Sequence, residues 1–260
     1  MAGGSVLVER DGAIATVTLS SPGRMNALDK TMWAQLGGAM RDLGADDSLR
    51  CIVLRGAGDK AFAAGADIAE FKNERANSEQ AKAYSRGGIG WMHSVTDCRH
   101  PTVALIQGAC VGGGLLIASQ CDLRICNESA RFGVPVKNLG LTESYDELQA
   151  MMRVIGPASS LEILLEGRIW GAREAYEKGL VSRVVPDASV VEEAYATARR
   201  IADGAPLVAR WHKKFIRRLL DPRPLTQEER DEGYACFDTE DFRAGVAAFL
   251  AKEKPDFKGR

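Results

Sequence analysis

The sequence predicts a layered α/β fold, and three observations carry the prediction. Strand-like and helix-like segments alternate over roughly the first 130 residues, the pattern of one layered core instead of separate all-β and all-α halves. Two of the strand-like segments run into turns of small residues, Ala61-Phe62-Ala63-Ala64-Gly65-Ala66-Asp67 and Gly108-Ala109-Cys110-Val111-Gly112-Gly113-Gly114. Helical patterning then dominates from about Glu143 onward. The paired turns also carry the first chemical signal. Small residues let the backbone approach a ligand closely and aim N–H groups at it, and two such turns side by side grip one oxygen atom from two sides, as an oxyanion hole does.

Each element follows from local pattern. Val6 to Glu9 and Ile14 to Leu19 read as a hairpin around Asp11-Gly12. Asp29 to Leu43 has helical spacing, with Met32, Leu36, Met40 and Leu43 on one face. Cys51 to Gly56 reads as a short buried strand before the first turn. Glu79 to Asp97 reads as a helix and Thr102 to Ile106 as the strand leading to the second turn. Leu115 to Cys121 carries no charge, so it reads as a buried helix whose positive dipole end opens at Gly112-Gly113-Gly114. Asp122 to Ile125 and Val181 to Val185 read as strands. The tail from Val190 to Lys254 reads as three helical stretches, broken at Gly204-Ala205-Pro206 and at Asp221-Pro222-Arg223-Pro224. The expected division is an α/β core over residues 1–195 and a helical region over 196–260.

Composition narrows the function classes. With 34 Lys plus Arg against 35 Asp plus Glu, the net charge of −1 gives no general attraction to nucleic acid or to an anionic membrane. The six cysteines show neither C-x-x-C nor zinc-site spacing and read as reduced core residues, so no metal is expected. The first residues lack a secretory or transit pattern and no apolar run is long enough to span a bilayer, so a cytoplasmic setting is expected. The Arg210, Lys213, Lys214, Arg217, Arg218 cluster reads as a solvated helix face. A dinucleotide site fails at the glycine run, because the spacing is not G-x-G-x-x-G and the next acid, Asp122, comes too soon.

Four stretches stand in an order and spacing that together are specific: Ser21-Pro22-Gly23-Arg24-Met25-Asn26-Ala27-Leu28, Ala61 to Ile68, Gly112-Gly113-Gly114, and the tail Lys254-Pro255-Asp256-Phe257-Lys258-Gly259-Arg260. On these motifs the chain resembles the crotonase superfamily, the enoyl-CoA hydratase/isomerase family, over its whole length. The resemblance implies a crotonase-like spiral of ββα units with a C-terminal helical region that packs a trimer, or a dimer of trimers. It implies an acyl-CoA thioester as substrate, with coenzyme A as part of that substrate and no tightly bound cofactor. The thioester carbonyl would accept hydrogen bonds from the backbone N–H groups of Ala66 and Gly113, stabilising an enolate. Contacts to CoA are implied at Arg24, Met25, Ala64, Ala66, Asp67, Ile68, Phe257 and Lys258, and Lys60 is a further cation for its phosphates. For Phe257, an anchor of the chain end to its own core is an equal reading.

The resemblance leaves the proton chemistry open. The two glutamates of a family hydratase would fall at Leu116 and Val136, and neither side chain transfers protons. Other members carry an aspartate at the position of Ser144. Glu143 beside it is the candidate acid or base, against the plainer role of an acid in a helix's first turn, where Thr142 and Tyr145 form no capping box. Tyr145 is a weaker candidate, and His93 reads as a structural residue near the acyl pocket, expected between Phe71 and Met92 and around Val136 to Tyr145. The alternatives are a CoA-ester isomerase, decarboxylase or hydrolase using Glu143 or Tyr145, and an inactive acyl-CoA binder.

Overall fold

A computed structural model describes residues 3–260, the side chains of residues 86–92 excepted. The chain opens with β1 (Ser5–Asp11) and β2 (Ile14–Ser20), an antiparallel hairpin whose register closes at Asp11 opposite Ile14. Helix α1 (Lys30–Ala45) starts where the Asp29 carboxylate accepts the Met32 N–H at 2.9 Å, and it buries Met32, Leu36, Met40 and Leu43. Three β–β–α turns follow. The first is β3 (Cys51–Gly56), β4 (Ala61–Ala63), the single turn α2 (Phe71–Glu74) and α3 (Ser78–Asp97). The second is β5 (Thr102–Ile106), β6 (Ala109–Val111) and α4 (Gly113–Gln120). The third is β7 (Leu123–Asn127), β8 (Arg131–Gly133) and α5 (Tyr145–Glu166), which bends at Gly156-Pro157.

After β9 (Trp170–Gly171), α6 (Ala172–Glu177) and β10 (Arg183–Val185), the chain ends in α7 (Val190–Ala202), α8 (Pro206–Leu219), α9 (Gln227–Glu232) and α10 (Glu240–Ala251). The division expected after residue 195 lies within α7, whose Val190, Ala194 and Ala198 pack on the sheet. Three helical stretches were expected beyond Val190, and there are four helices. The extra break arises because Thr239 caps α10 with its side chain on the Phe242 N–H.

Two sheets stack. The larger has the order β1-β2-β3-β5-β7-β10, parallel apart from the hairpin; the smaller has the order β4-β6-β8-β9. Parallel neighbours require long crossovers, so each turn of the spiral leaves one strand in each sheet before its helix returns the chain. One apolar core lies between the sheets and under α1 and α4, with Phe62, Phe132, Trp170 and Leu54 fully buried. A second lies under α7. Five cysteines are buried in these layers, and burial pushes the thiols of Cys51, Cys121 and Cys126 up to about 12. Among the described residues no helix is long and apolar enough to cross a membrane.

The basic cluster of α8 is not a solvated face. Lys213 Nζ lies 2.8 Å from the Asp122 carboxylate and donates to the His100 carbonyl at 2.7 Å, with its side chain only 8% exposed. Arg217 donates to Asp122 at 2.7 Å, while Asp122 also accepts the Thr102 N–H at 2.8 Å. The cations of α8 thus lock it to the start of β7, and its apolar Ile216, Leu219 and Leu220 face outward instead. Replacing a carboxylate that serves two half-buried cations leaves them uncompensated. Asp122→Ala is therefore expected to cost about 2–4 kcal/mol, measured as a fall in the urea midpoint at unchanged slope.

Candidate active site

The two small-residue turns touch. A Cβ added at Gly65 would lie 3.5 Å from Gly113 N, and one added at Gly113 would lie 3.6 Å from Ala66 N. Gly65 (φ +103°) and Gly112 (φ +52°) hold backbone conformations that glycine alone adopts easily, which is why the turns can meet this closely. The groups flanking the two N–H groups are already bonded. Leu28 N donates to Gly65 O at 2.8 Å, Asp67 N to Leu28 O at 2.8 Å, Gly112 N to Gly133 O at 2.8 Å and Leu116 N to Gly112 O at 3.0 Å. Ala66 N and Gly113 N donate to no backbone acceptor among the described residues; the second opens α4, where the first N–H groups of a helix have no intrahelical partner.

Ala66 and Gly113 both line a cavity of about 440 Å³. Its apolar wall includes Trp33, Leu116, Val136 and Leu139; its polar wall includes Arg75, Tyr84, Glu143 and Glu147. The structure therefore brings Ala64, Ala66, Ile68, Gly113, Leu116, Val136 and Glu143 together around one space. Trp91 and Met92, expected at its edge, lie outside the described residues.

Glu143 sits at this wall while its neighbour does the capping. Ser144 is the N-cap of α5, and its N–H and hydroxyl donate to Glu147 Oε2 at 2.7 and 2.6 Å in a capping box. The box thus runs from Ser144 to Glu147, two residues on from the Thr142 and Tyr145 pair. Burial, with the Glu147 carboxylate as a second cause, pushes the Glu143 carboxyl up to about 8, against a smaller opposite pull from Arg75. At neutral pH Glu143 carries its proton.

Tyr145 lies elsewhere. Its side chain is 92% exposed, at a groove bordered by Met152 and Trp211, and it does not line the cavity. Tyr145 is the first residue of α5, whereas Glu143 precedes the Ser144 N-cap in the connection, so the two side chains need not share a direction. His93 is likewise exposed, beside Arg41 and Gly44.

The residues matched to CoA contacts divide into two groups. Met25 and Ile68 are each half-exposed at the cavity's approach, and Arg24 ion-pairs with Asp67 and lies 3.5 Å from the Asp29 carboxylate. Asp67 also caps the turn over Ile68–Glu70 through the Ala69 N–H at 3.0 Å. Lys60 is exposed, and its carbonyl accepts the Ala109 N–H at 3.0 Å. Phe257 and Lys258 are remote in this chain. The Phe257 carbonyl accepts from Arg50 at the N-terminal end of β3, its ring covers Gly245, and Lys258 N donates to Asp241 at 2.6 Å. The cavity lies beyond the other end of β3, so the anchoring reading of Phe257 describes the single chain.

Three residues bearing on the site were not singled out from sequence. Asn26, at φ +57°, donates to the carbonyls of Ala57 at 3.0 Å and Ala61 at 2.8 Å, tying the 21–28 segment to the first turn. Asparagine tolerates that conformation, which was the available signal. Glu147 was legible as the fourth residue of Ser144-x-x-Glu147. Arg75 had no local signal.

Comparisons with known proteins bear on the family and the fold. A family model described as enoyl-CoA hydratase/isomerase matches residues 9–260. A "Probable enoyl-CoA hydratase" of Rhizobium meliloti is 36% identical over 98% of both chains, and a "Crotonyl-CoA hydratase" of Syntrophomonas wolfei is 30% identical over 99% of both. A crystal structure of an "enoyl-CoA hydratase/ carnithine racemase" from Magnetospirillum magneticum superposes with a TM-score of 0.97 at 52% identity, covering 98% of this chain and 96% of that one.

Proposed function

Because the chain belongs to the enoyl-CoA hydratase/isomerase family, we propose that the Ala66 and Gly113 N–H groups bind the thioester oxygen of an acyl-CoA and that Glu143 moves the proton. The observation that carries this reading is the meeting of two N–H groups without backbone partners on a cavity that also holds a protonated carboxyl. Charge that develops on the thioester oxygen is met by two fixed donors and by the positive end of α4. Glu143, neutral at rest, enters the reaction as a proton donor to the enolate carbon and leaves it as a carboxylate. Coenzyme A is part of the substrate, and no tightly bound cofactor is invoked.

Hydration is the reaction named for the relatives, and the positions that the family resemblance matches to a hydratase's two glutamates are here Leu116, 2% exposed, and Val136. An apolar wall cannot activate water. The protein is accordingly expected to hydrate crotonyl-CoA poorly; a turnover number within the ordinary range of about 1–10³ s⁻¹ would overturn that. Protonation of an enolate left by decarboxylation fits a single neutral donor better; isomerisation would need Glu143 first as a carboxylate, to take the proton it then returns at another carbon. An inactive binder would show CoA-ester affinity in calorimetry and no turnover on any of a broad acyl panel.

The outward apolar side of α8 and the exposed Phe249 and Leu250 of α10, 83% and 76% exposed, support assembly through the C-terminal helices. A homotrimer or dimer of trimers is expected, read by light scattering as three or six times the 28.1 kDa chain. A monomer would remove it.

A further inference from the structure

Arg75 is the one cation on the described lining of the cavity, and among the described residues it makes no ion pair. Among the described residues no carboxylate pairs with it: Glu74 is taken by Lys30 at 2.7 Å, and Glu147 is taken by the N–H and hydroxyl of Ser144. Glu143, the remaining acid on the same wall, makes no ion pair with Arg75, and burial and the Glu147 carboxylate push its carboxyl up. The guanidinium lies over the Tyr84 ring at 4.0 Å and the Phe71 ring at 4.8 Å, and its Nε is buried without a hydrogen-bond partner. The rings cover the guanidinium and the Tyr84 hydroxyl takes one hydrogen bond from it, which leaves its other in-plane N–H groups for a further acceptor.

An acyl chain that is apolar to its end would seal this cation in a low-dielectric space without an ion-pair partner, which is costly. A carboxylate at the chain end would meet a fork of N–H donors already held in place by the two rings, with little further ordering required. Leu116, Val136 and Leu139 line the same cavity and suit the methylene groups between. Resting on the acyl-CoA reading above, we propose that the acyl group this site takes bears a terminal carboxylate, which Arg75 binds while the thioester lies at Ala66 and Gly113.

The test uses binding, so that it stays separate from turnover. Calorimetry on the wild type, Arg75→Leu and Arg75→Lys would compare free CoA, the butyl thioether of CoA and its carboxypropyl thioether. The wild type is expected to bind the carboxypropyl compound about 10–100-fold tighter than the butyl one. Arg75→Leu should abolish that preference while keeping its affinity for CoA and the butyl thioether, and Arg75→Lys should retain part of it. Equal affinity of the wild type for the two thioethers would overturn the inference. So would Arg75→Leu weakening all three ligands alike, which would place Arg75 on the CoA moiety or in the fold. Binding of none of the three would overturn the acyl-CoA reading itself.

Discussion

Glu143→Gln is expected to lower kcat/KM on the true acyl-CoA substrate by about 10²–10⁴-fold, with the fold intact. Glutamine keeps the size and hydrogen-bonding edge of the neutral acid and cannot release a proton. In the wild type, kcat/KM should fall as pH rises through about 8, because the donor form of Glu143 exists below that value and is lost above it. That limb should vanish in the variant. A rising limb there, or unchanged activity in Glu143→Gln, would remove Glu143 as the donor.

Stability supplies an independent readout. A carboxyl raised in the folded state above its unfolded value, 4.5, contributes fully below that value and loses its contribution as pH climbs through about 8. Wild-type Tm should therefore drop more steeply between pH 5 and 9 than that of Glu143→Gln.

The second large effect isolates a backbone donor. Gly113→Pro removes the N–H at the first residue of α4, a position where proline's fixed φ suits a helix start and the lost donor had no helical partner. Gly113→Ala is the control. It adds the same Cβ, 3.0 Å from the Trp33 ring, and keeps the N–H. Relative to Gly113→Ala, Gly113→Pro is expected to lose about 10²–10³-fold in kcat, the usual effect of deleting one oxyanion donor. Equal activities in the two variants would show that this N–H does not bear on the transition state.

Much of this was legible in sequence where periodicity is long enough to read. Met32, Leu36, Met40 and Leu43 repeat over three turns and are all buried, and the hairpin turns where Asp11-Gly12 says it should. The second sheet was not legible, because β4, β6, β8 and β9 span only two or three residues each and show no alternation to detect. Within the site, the glycine turns announce themselves because their chemistry is in the backbone. The polar wall does not, because Arg75 and Glu147 are 72 positions apart in the chain and only the fold sets them on one cavity. The inward basic face of α8 was misread because a charge run looks alike whether its partners are water or Asp122 and Glu232.

The two glycine turns and Glu143, to which the proposed function gives the grip and the proton, sit on separate pieces of chain. The two N–H groups hang from turns pinned at Leu28, Gly133 and Asn26, whereas Glu143 belongs to a connection between β8 and α5 that shares none of those bonds. Substitutions along residues 136–147 therefore change the acyl side of the cavity without breaking the bonds that hold the two glycine turns together. For an engineer this stretch is the cassette to randomise, with Gly65, Gly112 and Gly114 left untouched; a Cβ at the last would strike the Ala63 carbonyl at 2.3 Å.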